Sequence, residues 1–198
     1  MRKTWSYDFY YAAAEIIIEG AGEYQDDPNF VDTPDRFARA MSEFFWSKKK
    51  IKKQLKKVIA VEFPTSDGKR YDGMIFKKDI RLYTFCPHHI LPVALDIHIG
   101  YIPGKKGLVA GASKLTRIAD ILSRRMVLQE TLALDIANFI EEKMKAEGVA
   151  VVLSGVHDCM RIRGIKQQNA TYDTPIMRGS FKKNKATRDE FFHLIMKG

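Results

Sequence analysis

The sequence predicts an α+β fold in which an antiparallel sheet carries a helix pair on one face. Three observations predict it. Residues 93–101 alternate apolar with small or polar side chains, the period of a half-buried strand. Leu128, Leu132, Ile136, Phe139, Ile140 and Met144 form one apolar stripe at helical spacing. Residues 149–153 then return to an apolar strand, so the chain order reads strand, strand, helix, helix, strand, strand.

Taken in order, residues 5–19 read as a helix rich in aromatic and aliphatic side chains, ended by Gly20 and Gly22. Thr33-Pro34-Asp35 supplies an N-cap, a proline at the first helical position and an acid in the first turn. Phe37, Met41, Phe44 and Phe45 follow at helical spacing, so this helix is expected to reach about Trp46. Residues 48–57 carry seven lysines around Ile51 and Leu55. That is the pattern of a solvated helix face, with polyanion binding as the alternative. An N-terminal helical segment is thus expected over 1–57 and the sheet-bearing domain over 58–198. Strands are expected from 58 to 102, with residues 84–89 at a turn and 103–107 as loop. Helices follow at 113–125 and 128–147, the second closed by Gly148 as C-cap. The strand at 149–153 delivers His157 and Cys159 at its end, and a basic segment with a final strand or helix completes the chain.

The chain has 198 residues, 45% of them hydrophobic, enough for one domain with a small extension. Its net charge of +9 calls for an anionic partner: a nucleic acid, an acidic surface or a phosphorylated small molecule. Asp8 and Glu15 interrupt any leader-like apolar region and no stretch approaches bilayer length, so no membrane partner and a cytoplasmic location are expected. The absence of a Walker A pattern argues against a P-loop nucleotidase.

Both cysteines and three of the five histidines fall in two short segments, Cys86-Pro87-His88-His89 and His157-Asp158-Cys159. Thiolate and imidazole are preferred zinc ligands, three protein donors plus water marking a catalytic site and four a structural one. Cys86 and His89, spaced i, i+3, can meet one ion in a turn, with Cys159 as third ligand. His88 and His157 are then left beside the metal as general acid/base groups. A disulfide, or a structural zinc with His88 or His157 as fourth ligand, is the competing reading. His98 and His193 read as buried histidines satisfied by backbone groups. In Gly111-Ala112-Ser113-Lys114, Ser113 is expected to cap the next helix and expose backbone N–H groups beside a lysine, a natural phosphate site. Arg117 lies one turn on, and Arg163 follows Cys159 by four residues; an ordinary capped helix with surface charges is the alternative.

These residues together resemble the GTP cyclohydrolase I family from about Asp32 onward. The matching pieces are Thr33-Pro34-Asp35-Arg36, Cys86-Pro87-His88-His89, the segment from His98 to Pro103, that from Gly111 to Ile118, Gln129-Glu130, that from His157 to Gly164, and Thr187-Arg188-Asp189-Glu190-Phe191. The resemblance implies the tunnelling fold, whose subunits share a barrel sheet with active sites between them, commonly as a homodecamer. It implies hydrolysis of GTP to formate and 7,8-dihydroneopterin triphosphate, with Cys86, His89 and Cys159 holding a zinc ion whose acidified water attacks guanine C8. By the same resemblance His157 protonates N7, His88 assists ring opening and the sugar steps, and Ser113 lies near the ribose or phosphates. Glu130, beside Gln129, accepts N1–H and the exocyclic amine, and Lys114, Arg117, Arg163 and Arg36 neutralise the triphosphate, so no nucleic acid is needed to account for the charge. The chain departs from the family's usual Glu at Pro87, Leu at Ala112 and Arg at Thr131. The alternatives are a zinc-containing nucleotide- or nucleic-acid-binding protein of this fold without turnover, or another pterin or deazapurine enzyme of the same fold.

Overall fold

The structure is a computed structural model that describes residues 5–23, 27–59, 62–64 and 71–197. Two units are distinguished, Met1–Ser47 and Lys48–Gly198.

In the first unit α1 (Trp5–Gly20) packs on α2 (Thr33–Phe44). Tyr7 donates its hydroxyl hydrogen to Asp35, and the Tyr10 and Phe45 rings meet at 6.1 Å. The expected cap is displaced. Asp32, not Thr33, occupies the N-cap position, and its side chain makes no cap bond because it pairs with Arg36 at 3.0 Å. Pro34 keeps its place in the first turn, where a missing N–H costs nothing.

The second unit starts with α3 (Lys48–Ile59), whose Ile51 and Val58 are buried while the lysines face outward. Helix therefore persists to Ile59, one residue past the expected onset of strands. A short β1 (Glu62–Pro64) pairs with β4 (Leu108–Ala110). The main sheet consists of β2 (Ile75–Phe85), β3 (Pro92–Ile102), β5 (Gly148–His157) and β6 (Tyr172–Gly179), antiparallel throughout in the order β2-β3-β5-β6. Between β4 and β5 run α4 (Ala112–Ser123) and α5 (Gln129–Met144). They lie against the sheet, α4 on β2 and α5 on β5 and β6. Two strands, two helices and two strands is the expected tunnelling-fold order.

Val93, Leu95, Ile97 and Ile99 of β3 are buried with Leu132, Ile136 and Ile140 of α5, and the strand alternates as its sequence does. At the Gly148 end of the sheet, Ala150 packs instead with Phe181 of α7 (Ser180–Lys183) and Phe191 of α8 (Lys185–Met196). Two boundaries differ from expectation. The C-cap of α5 is Lys145, left-handed at φ 49°, and Gly148 opens β5 opposite Gly179. Glycine is needed there for proximity: a Cβ on Gly148 would stand 2.8 Å from the Ser180 nitrogen. His98 is half-buried and its Nδ1 accepts from the Asp79 N–H at 3.3 Å, as expected, whereas His193 is exposed on α8.

Candidate metal centre and active site

Antiparallel register gathers one end of the sheet. The hairpin joining β2 to β3 turns at residues 86–91, with Cys86 N–H donating to the Leu91 carbonyl at 2.9 Å and Ile90 N–H to the Cys86 carbonyl at 2.9 Å. Val93, just after the turn, faces His157 at the end of β5, and Cys159 follows in the one-turn helix α6 (Asp158–Arg161). The start of α5 is tied to the same place, since Val127 N–H donates to the Phe85 carbonyl at 3.2 Å. Thr84 anchors the last turn of α4 there too, its hydroxyl 3.0 Å from the Ser123 carbonyl.

Cys86, His157 and Cys159 present ligand atoms all within 4.8 Å of one another. Both cysteines are buried, while His88 and His89 are exposed on the turn, each with Nδ1 3.8 Å from Cys86 Sγ. Two thiols with imidazoles at this range fit a borderline-soft divalent cation such as zinc. Burial, reinforced by the neighbouring Cys86 thiol, pushes the Cys159 thiol up; its own backbone N–H and Arg163 oppose the shift. A bound cation would reverse that balance by favouring thiolate.

His157 Nε2 lies 3.0 Å from Gln129 Oε1. The other end of that amide fixes its orientation: Gln129 Nε2 is 3.1 Å from the Leu153 carbonyl, 2.6 Å from the Tyr172 carbonyl and 3.0 Å from Thr174 Oγ1. With its nitrogen facing three oxygens, the amide turns its carbonyl to His157, so Nε2 carries the imidazole hydrogen and Nδ1 is left available. Gly155 makes the room, for a Cβ there would stand 2.0 Å from Gln129 Oε1. Burial lowers the His157 pKa and Glu130 works against that. Glu130, exposed at the start of α5, is held low first by its own backbone N–H and then by the Tyr172 hydroxyl, which donates to Oε1 at 2.7 Å.

The structure thus brings together Cys86, His88, His89, Gln129, Glu130, His157 and Cys159, with Arg163 near enough to act on Cys159. It does not bring Ser113, Lys114 and Arg117 to them. Ser113 and Lys114 start α4 at the opposite end from Ser123, Ser113 about 15 Å away at 1.5 Å per residue, and Arg117 lies midway, about 9 Å along the axis. The cap of α4 is Gly111 rather than Ser113, which lies exposed inside the first turn. Arg36 belongs to the first unit, paired with Asp32. Tyr172, Thr174 and Gly155 went unread in the sequence; a lone glycine inside a strand pattern was the one available sign of a close approach.

Fold and site together define an α+β protein with a thiol and imidazole group that could hold a metal ion at one end of an antiparallel sheet. The GTP cyclohydrolase I family pattern matches residues 10–196. The chain is 40% identical over 184 residues to GTP cyclohydrolase 1 of Corynebacterium glutamicum, covering 93% of this chain and 90% of that one. Against GTP cyclohydrolase 1 of Listeria monocytogenes it is 37% identical over 183 residues, covering 92% and 93%. Among solved structures, the archaeosine synthase QueF-Like in the apo form aligns with a TM-score of 0.45 at 17% identity, over 56% of this chain and 97% of that one. The chain belongs to the GTP cyclohydrolase I family.

Proposed function

We propose that the chain hydrolyses GTP to formate and 7,8-dihydroneopterin triphosphate. The observation that carries this reading is the convergence of two thiols, three imidazoles and a pinned carboxylate at one sheet end. Binding phosphates alone needs none of these groups. Cys86, His89 and Cys159 would hold zinc, which when bound supplies an acidified water as nucleophile. The imidazole of that set has a rival, because the histidine whose ligand atom lies within 4.8 Å of both thiols is His157, while His89 is placed only against Cys86, at 3.8 Å.

Glu130 takes the guanine N1–H and exocyclic amine, a donor pair that adenine does not offer. His157, its Nε2 hydrogen committed to Gln129, exchanges a proton at Nδ1 with the ring nitrogen N7. His88, exposed on the turn, serves the later proton transfers of ring opening and sugar rearrangement. Lys114, Arg117, Arg163 and Arg36 neutralise the triphosphate, with Ser113 near the ribose or phosphates. Because Ser113 and Lys114 start α4 at its far end, with Arg117 one turn on, we assign them to the site of a neighbouring copy, in a homodecamer with active sites between subunits. Residues 58–198 form the catalytic domain and 1–57 an N-terminal segment, in a cytoplasmic protein; no described helix is long and apolar enough to cross a membrane.

Incubation of the zinc-loaded protein with GTP tests the proposal. Formate and, after oxidation, a fluorescent pterin are expected. Tight GTP binding with neither product would refute turnover and leave a nucleotide-binding protein.

A further inference from the structure

Tyr172 touches three members of the site at once. Its hydroxyl donates to Glu130 Oε1 at 2.7 Å, its carbonyl accepts from Gln129 Nε2 at 2.6 Å, and its ring stands edge-on to the His157 imidazole at 6.0 Å and 87°. Register places it at the first position of β6, opposite Gly155, the residue whose missing side chain admits the Gln129 amide. The side chain is itself exposed, so these contacts are not a by-product of core packing.

A carboxylate at a helix start can swing about two side-chain torsions, and an exposed one has water to bond with in every orientation. Reading two adjacent donors on one base edge requires both oxygens to face that edge together. The Tyr172 hydroxyl occupies one lone-pair position on Oε1 and leaves the rest of the carboxylate open. Resting on the reading of Glu130 as the guanine-binding group, we propose that Tyr172 is a positioning residue for base recognition: it pins the Glu130 carboxylate so that both oxygens meet the guanine N1–H and amine. It touches no reacting atom. Its effect therefore falls on substrate capture and on the choice between guanine and hypoxanthine, which lacks the exocyclic amine.

The test is a double-mutant cycle of Tyr172→Phe and Glu130→Gln, read as kcat and KM with GTP and with ITP, with zinc content and circular dichroism followed in each protein. Tyr172→Phe keeps the ring beside His157 and removes only the hydroxyl. It is expected to raise KM for GTP about threefold to tenfold, the worth of one hydrogen bond to an exposed charge. The value of kcat should stay within about twofold, the preference for GTP over ITP should fall, and zinc should stay bound. In the Glu130→Gln background the same substitution should change GTP kinetics by less than about twofold, since its route of action is gone. Unaltered GTP kinetics in Tyr172→Phe, or equal losses in both backgrounds, would overturn the inference while an impaired Glu130→Gln left base recognition standing. An unimpaired Glu130→Gln would overturn the reading of Glu130 and the inference with it.

Discussion

The two ends of the α4 and α5 layer are built on opposite plans. Where α5 begins, Gln129, His157, Glu130 and Tyr172 are linked by hydrogen bonds and the thiols are buried. Where α4 begins, Ser113 and Arg117 are exposed, and neither Arg117 nor Lys114 has an ion-pair partner among the described residues. The difference suits the work proposed for each end. Proton transfer demands donor and acceptor within hydrogen-bond reach, which groups locked together within one chain provide. Neutralising a flexible triphosphate demands only enough cations close by, which side chains without ion-pair partners would supply on the proposed reading.

Several substitutions probe that division, the strongest at the locked end. Cys159→Ser should abolish formate release and reduce zinc from about one ion per subunit to none; full occupancy by metal analysis would place the ion elsewhere. His157→Ala should slow formate release about 10²- to 10⁴-fold with zinc retained, the usual contribution of a positioned acid. Here the contrast with His89→Ala is decisive. Zinc lost from the His157 variant and kept by the His89 variant would exchange the two roles.

At the start of α4, Lys114→Ala should weaken GTP binding about tenfold and guanosine binding little, with added salt shrinking the gap. Equal losses for both ligands would mean a disturbed fold. Sharing of sites can be tested directly: Cys159→Ser and Lys114→Ala proteins, dissociated and reassembled together, should at subsaturating GTP exceed the mean activity of the two. Activity no greater than the mean of the two would put both groups in the site of one subunit. The smallest effect is structural. Gly155→Ala forces a Cβ into the Gln129 amide and should cost about 1–3 kcal/mol in unfolding free energy.

The layer order was legible because it rests on periodicity. The alternation at 93–101 and the stripe through Leu132, Ile136 and Ile140 became buried faces as written. Helix ends were less legible, since Asp32, Gly111 and Lys145 hold caps by backbone geometry that no side-chain signature announces. Cysteine and histidine spacing exposed the group that could hold a metal ion, since few other demands place those residue types together. The i, i+3 spacing pointed to His89 as the imidazole ligand, whereas the histidine gathered with both thiols is His157, which register between β3 and β5 brings there. Tyr172 was hidden for a similar reason. Forty-two residues separate it from Glu130, and only the pairing of β5 with β6 closes the distance.

The orientation of one amide has a further consequence for repeated turnover. Gln129 faces three oxygens with its nitrogen, so rotating it would set its carbonyl against all of them, a steep cost in a buried setting. The imidazole opposite cannot then trade one tautomer for the other. On the proposed reading, every proton that His157 gave up would leave from the nitrogen at which it arrived.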